Sequence, residues 1–245
     1  MFRSNAAIKI ASLILTASLI IGGISSSLIT LARNSTPTAI KAREFPVIVV
    51  DAGHGGIDGG AVAADGTAEK TINLAISKHL NEILSLAGFN TVMTRDDDNL
   101  ISDDGAVTLR QRKSTDLKNR AKLLESYDNA VLISIHQNKF SQAKYWGAQV
   151  FYSPNAKESE ALAECVQSSI VNCLQTDNKR KIKKSGSEIY LLHTAKHPAI
   201  MVECGFLSNS NELSKLKDSK YQSEIAFSIF CGIIEYIKDQ SRESD

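Results

Sequence analysis

The sequence predicts an α/β fold: a single domain whose mostly parallel, twisted sheet of about six strands carries helices on both faces, preceded by an N-terminal hydrophobic segment. From Phe45 onward, short β-branched runs alternate with segments whose apolar residues recur at helical spacing. The chain has 245 residues, of which 43% are hydrophobic, and this length suits one good-sized core better than two.

An uncharged stretch from Ile10 to Ala32 lies near the N-terminus. As a helix it would extend about 34 Å, enough to cross the core of a bilayer. We expect residues 1–33 to be a signal peptide or a membrane anchor; a helix buried in a soluble domain is the remaining interpretation. A signal peptide or an anchor predicts export, with the rest of the chain secreted or associated with the membrane. Residues 34–44 are polar, with proline and scattered basic residues, which predicts a linker before a domain at 45–245.

The first half of the domain predicts three strands separated by helices. Val47 to Asp51 is a β-branched run that predicts the first strand. Thr71 to Ala87 has apolar residues at helical spacing, and a glycine follows it as a stop signal. Asn90 to Arg95 and Ala130 to Ile135 predict the next two strands, with a helix over Ser114 to Tyr127 between them.

The second half continues the alternation. It predicts strands over Ala148 to Tyr152, Glu188 to Leu192 and Ala199 to Glu203, and helices over Ser159 to Leu174 and Tyr221 to Ile237. A helix between two strands brings the chain back to the same end of the sheet, so that the strands pair in parallel.

Charge argues against a nucleic acid partner. The 28 basic and 27 acidic residues leave a formal net charge of +1, so there is no overall field to hold a polyanion. Two basic runs, Arg110 to Lys122 and Lys179 to Lys184, are predicted to be a solvated helix face and a solvated loop. No aromatic residues are interleaved with them to stack on bases.

Two histidines follow predicted strands. His54 lies in "VIVVDAGHGG" and His136 in "VLISIHQN". The glycines around His54 do not form a phosphate cradle, because the G-x-G-x-x-G order is absent and the next helix begins only near Glu69. Carboxyl ends of parallel strands share one edge of a sheet, so both imidazoles are expected at one crevice. Two histidines placed in this way favour a metal site.

Two carboxylates are candidates to complete such a site. Glu69 stands at the start of the predicted helix, where it is a possible third ligand, although the helix dipole alone also favours an acidic residue there. Glu203 ends the apolar run "AIMVE", where an uncompensated charge would be costly. A role as the base beside a metal-activated water would explain why a charged residue stands at this position. A structural salt bridge is the alternative explanation.

The segments around these four residues resemble the zinc-dependent N-acetylmuramoyl-L-alanine amidases, which are peptidoglycan hydrolases. The resemblance extends from Val47 to about Ile237 and rests on "VVDAGHGGIDGGA", "EKTINLAI", "SIHQN" and "VECGFLSN" in the family's order. It implies an amidase catalytic domain over 45–245, peptidoglycan as the substrate and Zn²⁺ as the cofactor. The roles that it implies are metal ligands for His54, Glu69 and His136, the catalytic acid/base for Glu203, and substrate binding for Asn138. Ala52 departs from the family, which usually has proline at this position.

Within that family the chain is most similar to the germination-specific CwlD type of spore-forming bacteria. The similarity lies in the single short domain behind a hydrophobic segment, in "TLRQRKSTDLKNRAKLLE" and in "GSEIYLL". It implies action on spore cortex peptidoglycan, where peptide removal allows muramic-δ-lactam to form, and a location between the membranes of the developing spore. Whether a regulatory protein partner is required stays open.

Two other functions compete with the amidase interpretation. One is a catalytically silent, zinc-containing module that binds peptidoglycan, and the other is a different metallohydrolase such as a peptidase. A structural zinc site usually has four protein ligands and is rich in cysteine. The three ligands predicted here leave one position open, which favours an enzyme.

Overall fold

The computed structural model describes residues 45–242. The hydrophobic segment predicted at 1–33 and the linker predicted at 34–44 lie outside the described residues. None of the helices between residues 45 and 242 combines the length and the apolar character needed to cross a bilayer.

The described chain forms six strands and six helices around one sheet, which confirms the predicted α/β class. The strands are β1 (Val47–Ala52), β2 (Thr91–Met93), β3 (Ala130–Asn138), β4 (Gln149–Tyr152), β5 (Lys183–Lys184) and β6 (Ala199–Phe206). The helices are α1 (Glu69–Leu86), α2 (Leu109–Glu125), α3 (Glu158–Cys173), α4 (Tyr190–Thr194), α5 (Ser210–Leu216) and α6 (Ser219–Arg242).

The strand order across the sheet is β2-β1-β3-β6-β4-β5. Strands β2, β1, β3 and β6 run parallel to one another. Strand β4 is antiparallel to β6, and β5 pairs in parallel with β4. The sheet is therefore mostly parallel, and the carboxyl ends of β1, β3 and β6 lie side by side at one edge.

The sheet has an apolar layer on each face, because successive side chains of a strand point to opposite sides. Ile48 and Val50 of β1 belong to a large core that also contains residues of α1, α3 and α6. Val49 belongs to a smaller core on the other face, with Leu124 of α2 and Leu191 of α4. Helices thus cover both faces, as predicted.

The strand predicted over Glu188 to Leu192 is wrong. Residues Tyr190–Thr194 form the short helix α4, whose two leucines are buried in the smaller core. A short apolar run has no periodicity that separates a strand from a helical turn, so the surrounding packing decides. The sixth strand is instead Lys183–Lys184, the outermost strand of the sheet, which pairs with Phe151 and Tyr152. Its exposed lysines gave no strand pattern in the sequence.

Helix α2 begins earlier than the predicted Ser114. Thr108 accepts a hydrogen bond from the backbone N–H of Gln111, and the Gln111 side chain accepts one from the Thr108 N–H in return. This capping box satisfies backbone donors that the first turn would otherwise leave unpaired, which fixes the start at Leu109. The earlier start matters for the site, since it brings Lys113 onto the helix.

Candidate metal centre

The loop that carries His54 has a strained backbone held by two arginines. His54 has a φ of 63°, a left-handed conformation that is uncommon for a residue with a side chain. Arg120 donates from Nη2 to the His54 carbonyl at 2.8 Å and from Nη1 to the Ala52 carbonyl at 2.7 Å. Arg95 donates to the Gly53 carbonyl at 3.0 Å. These hydrogen bonds hold the loop in the conformation that presents His54 to the sheet edge.

His54, Glu69 and His136 meet at one point. The Nε2 atom of His54 lies 3.3 Å from Glu69 Oε2, and the Nδ1 atom of His136 lies 2.9 Å from Glu69 Oε1. The ligand atoms that the three residues offer all lie within 4.8 Å of one another. Residues far apart in the sequence thus converge at the carboxyl ends of β1 and β3, as the topology predicts.

Glu69, the first residue of α1, has a carboxylate that is fixed from several sides. Its Oε2 accepts the Ala61 N–H at 2.8 Å, and its Oε1 accepts the Gln137 N–H at 3.0 Å and the Asn73 amide at 3.2 Å. Burial alone would raise the pKa of Glu69, but hydrogen bonds from His136 and His54 outweigh it and hold the pKa far below its ordinary value. The group is an anion aimed at the two imidazoles.

His54 is oriented by a residue that the sequence analysis missed. Its Nδ1 atom lies 2.9 Å from Asp58 Oδ2, and Lys113 Nζ lies 2.7 Å from Asp58 Oδ1. Burial would lower the pKa of His54, yet hydrogen bonds to Asp58 and Glu69 raise it to about 9. Asp58 belongs to the glycine motif quoted above, and its spacing of four residues from His54 was the available signal.

The prediction that Arg110 to Lys122 is a solvated helix face is wrong for Arg120, which is only 2% exposed and pairs with Asp51 and Asp116. Lys113 is partly exposed, but it also holds Asp58. Which residues of α2 face the sheet decides which basic side chains make these contacts. A run of basic residues in the sequence does not indicate that face.

Two glycines leave the space that the cluster occupies. A Cβ atom on Gly53 would lie 2.2 Å from His136 Nε2. A Cβ atom on Gly60 would lie 2.6 Å from both Glu69 Oε2 and His54 Cδ2. Two imidazoles and one carboxylate around a point, with His54 oriented by Asp58 and no room for other side chains, fit the three-ligand set of a catalytic zinc site.

Glu203 lies beside the cluster. It pairs in register with His136 across β3 and β6, and alternation along both strands puts the two side chains on the same face. Its Oε2 atom is buried and has no hydrogen-bond partner within residues 45–242. Burial, with a smaller contribution from the charge of Glu69, raises the pKa of Glu203 to about 7. Such a carboxyl group can accept and release a proton near neutral pH.

Asn138, the remaining predicted site residue, ends β3. Its carbonyl accepts the Leu207 N–H at 2.8 Å, and the residue pairs in register with Phe206. The side chain is partly exposed at the same sheet edge. Its role in substrate binding stays a prediction.

A cavity of about 260 Å³ adjoins the cluster, and His54, Asp58 and His136 are among its lining residues. Leu117 of α2 and Tyr190 of α4 also line the cavity, and both are partly exposed. A substrate segment can therefore reach the two imidazoles from the face covered by α2 and α4.

The fold and this cluster define the class of protein, a hydrolase with a candidate metal centre at the carboxyl edge of a mostly parallel sheet. Residues 48–235 match the family described as N-acetylmuramoyl-L-alanine amidase, and the chain belongs to that family. The family and the enzyme class predicted from the sequence are confirmed.

Individual relatives agree with the family. The chain is 34% identical to the germination-specific N-acetylmuramoyl-L-alanine amidase of Bacillus subtilis, over 79% of this chain and 81% of the relative. It is 39% identical to the CwlD amidase of Clostridioides difficile, solved in complex with the GerS lipoprotein, with a TM-score of 0.76 over 79% of this chain and 98% of that one. Amidase AmiC2 of Nostoc punctiforme is 30% identical, with a TM-score of 0.67 over 79% of this chain and 97% of that one.

The protein is therefore an amidase of peptidoglycan that acts on the amide between N-acetylmuramic acid and L-alanine. This activity replaces the two competing interpretations, the silent binding module and the peptidase.

Proposed function

We propose that this amidase depends on zinc, with His54, Glu69 and His136 as the protein ligands. The convergence of these three donors within 4.8 Å is the observation that carries the proposal. A bound Zn²⁺ supplies Lewis-acid activation of the scissile amide and of the attacking water. The glycines at 53 and 60 and the bonds to the Glu69 carboxylate keep the donors in place before the ion binds.

Glu203 moves the proton in this proposal. Its carboxylate accepts a proton from the attacking water and then donates it to the departing nitrogen of L-alanine. The raised pKa, the buried Oε2 without a partner and the position beside His136 all support this role. A structural salt bridge is disfavoured, since no ion pair to Glu203 is formed by residues 45–242.

Asp58 and Lys113 position the first ligand. Asp58 accepts the Nδ1–H of His54, so Nε2 is the nitrogen that faces Glu69 and, once its proton is lost, the one that can bind the metal. Lys113 neutralises the far oxygen of Asp58 and ties the loop to α2. Asn138 binds substrate at the same edge.

The biological role that we propose is removal of stem peptides from spore cortex peptidoglycan, which precedes muramic-δ-lactam formation and germination. The sequence identities of 34% to the germination-specific amidase of Bacillus subtilis and 39% to CwlD of Clostridioides difficile support this role. The hydrophobic segment at 1–33 would export the chain and either be cleaved or tether it to the membrane. A regulatory protein partner is also proposed, by analogy with the CwlD complex with GerS.

The test combines metal analysis with product mapping on the full chain. We expect about one equivalent of zinc and the release of intact stem peptides from cortex fragments, identified by mass spectrometry. Glu203→Gln should keep the zinc and lose most of the activity, by roughly 10²- to 10⁴-fold. A variant that retains near-wild-type turnover would refute the role of Glu203, and cleavage within the stem would refute the amidase assignment.

A further inference from the structure

Arg180 is a half-buried arginine held in place by neutral groups. Its Nη2 atom donates to the Gln149 side-chain oxygen at 2.6 Å, and its guanidinium carbon lies 4.9 Å from the centre of the Phe206 ring. The backbone N–H of Arg180 donates to Asn178 Oδ1 at 2.9 Å. The residue belongs to the basic run predicted to be a solvated loop, but its side chain lies against the sheet instead.

The guanidinium lacks the ion pair that a buried arginine usually has. Arg120, by comparison, pairs with Asp51 at 2.6 Å and with Asp116 at 2.8 Å. Within residues 45–242, no carboxylate lies within 4.0 Å of Arg180, and its buried Nε atom has no hydrogen-bond partner. Nε is enclosed, whereas Nη1 forms no hydrogen bond within residues 45–242 and is not buried, so an incoming anion can reach it. A guanidinium that is partly withdrawn from water and has no contacting carboxylate is stabilised by a counter-charge, so this open donor indicates an anion that comes from outside the described residues.

The position of Arg180 relates it to the catalytic edge. His136 pairs with Glu203, and Glu203 pairs in turn with Gln149 on the antiparallel strand β4. Residues directly opposite one another in neighbouring strands share a face, so these three side chains form a row. Arg180 extends that row on the side of Glu203 away from the metal ligands. Glu203 and Glu212 are the carboxylates that act on it electrostatically.

The spacing of the row suits a peptide substrate. Neighbouring strands are roughly 5 Å apart, so Arg180 lies on the order of 10–15 Å from His136. An extended peptide advances by roughly 3.5 Å per residue. A stem peptide that leaves the scissile amide along the row therefore reaches Arg180 within a few residues.

We propose that Arg180 binds a carboxylate of the stem peptide and that it is a specificity-determining residue of this amidase. A guanidinium offers forked donors that match a carboxylate, and Gln149 and Phe206 restrain it before the substrate arrives. Two carboxylates of the stem peptide are candidates. One is the α-carboxylate of the second residue, which is free when that residue is linked to the third through its side chain. The other is a carboxylate on the third residue. The proposal rests on the amidase activity and on the site proposed above.

The test compares matched muramoyl peptides that carry either a free carboxylate or its amide, first at the second and then at the third stem residue. With Arg180→Gln, kcat/KM for the substrate recognised through its carboxylate should fall roughly 10- to 100-fold, mainly through KM. The corresponding amide should be cleaved within about twofold of the wild type. The position at which the carboxylate matters identifies which of the two is bound. Lys181→Gln, which removes the neighbouring exposed charge, should leave kcat/KM unchanged for both substrates.

An equal loss on the carboxylate and amide substrates would overturn the proposal, because it would assign Arg180 a scaffolding role only. A second measurement does not depend on zinc or turnover. Calorimetric binding of the free stem tripeptide to the metal-free chain should weaken roughly tenfold in Arg180→Gln. Unchanged binding would refute the role of Arg180, whereas absence of zinc from the wild type would refute the proposed metal centre alone.

Discussion

The Nδ1 atom of His54 lies 2.9 Å from Asp58 Oδ2 and thereby determines which nitrogen of the ring faces Glu69. The two residues are four apart, joined by a turn in which the glycines at 55 and 56 have positive φ values. The proposed ligand His54 and the group that orients it thus come from one short loop. The second contact of Asp58, to Lys113, fixes this loop to helix α2.

Removal of the Asp58 carboxylate should weaken metal binding. Asp58→Ala leaves the imidazole free to rotate and to exchange tautomers, and we expect zinc affinity to fall roughly 10- to 100-fold. Competition with a chromophoric chelator measures the effect. Asp65→Ala is the matched control, because it removes an aspartate that is ion-paired with Lys217 at the surface. Equal affinities for the two variants would contradict the role assigned to Asp58.

A methyl group at position 53 should disrupt the cluster. In Gly53→Ala the new Cβ would lie 2.2 Å from His136 Nε2, so the ring or the loop must shift, and either shift changes the position of His54 relative to His136. We expect a loss of zinc affinity of at least about tenfold, with a similar loss of activity. Gly105→Ala is the control, because a Cβ there meets no atom within 4 Å. Wild-type zinc binding by Gly53→Ala would contradict the expected displacement of His136 from the cluster.

Much of the fold and the centre of the site could be predicted because the signals are local. In the sequence each of the parallel strands β1, β3 and β6 begins as an apolar run, and the polar site residue stands at the end of that run or shortly after it, although β3 and β6 continue beyond His136 and Glu203 in the structure. Topology then brings His54, His136 and Glu203 together without further information. Glu69 was identifiable from its place at the start of a strongly amphipathic helix.

The remaining features depend on contacts between distant segments. Lys113 and Arg120 were indistinguishable from their solvated neighbours, because only the docking of α2 on the sheet selects them. Arg180 lay in a run of exposed basic residues, and only its contacts with Gln149 and Phe206 set it apart. The two-residue strand at Lys183 is formed by its edge pairing rather than by its own composition.

Arg120 should contribute strongly to stability. It neutralises Asp51, which is fully buried; burial raises the pKa of Asp51, but Arg120 and Ser134 outweigh this and lower it to about 2. Arg120→Met keeps much of the volume but leaves buried carboxylates without their partner, which should cost about 3–5 kcal/mol. Urea denaturation measures the loss. Arg242→Met, at an exposed ion pair, should change the free energy of unfolding by less than about 0.5 kcal/mol.

The rate of hydrolysis should depend on the ionisation of Glu203. Its pKa is raised to about 7 without a metal ion, and a nearby cation favours the carboxylate, so in the loaded enzyme the midpoint should lie below that value. We therefore expect kcat/KM to rise with pH through a midpoint between the ordinary value for glutamate and about 7. Measurement of kcat/KM from about pH 4 to 9 tests for this rise, and Glu203→Gln should remove the rise. A flat profile in the wild type would exclude Glu203 as the base.

Stability of the metal-free chain should fall on the alkaline side. The pKa of His54 is raised from 6.5 to about 9 in the folded protein, so folding favours the protonated ring. That contribution is complete below pH 6.5 and is lost as pH rises through about 9. We expect the free energy of unfolding to decrease over this range by an amount on the order of 2 kcal/mol. Urea titrations at several pH values measure the decrease.

His54→Gln should abolish the decrease in the free energy of unfolding, and saturating zinc should reverse its sign, because the ion displaces the proton and binds more tightly at high pH. A metal-free wild type whose stability is constant from pH 6.5 to about 9 would contradict the contacts seen between His54, Asp58 and Glu69.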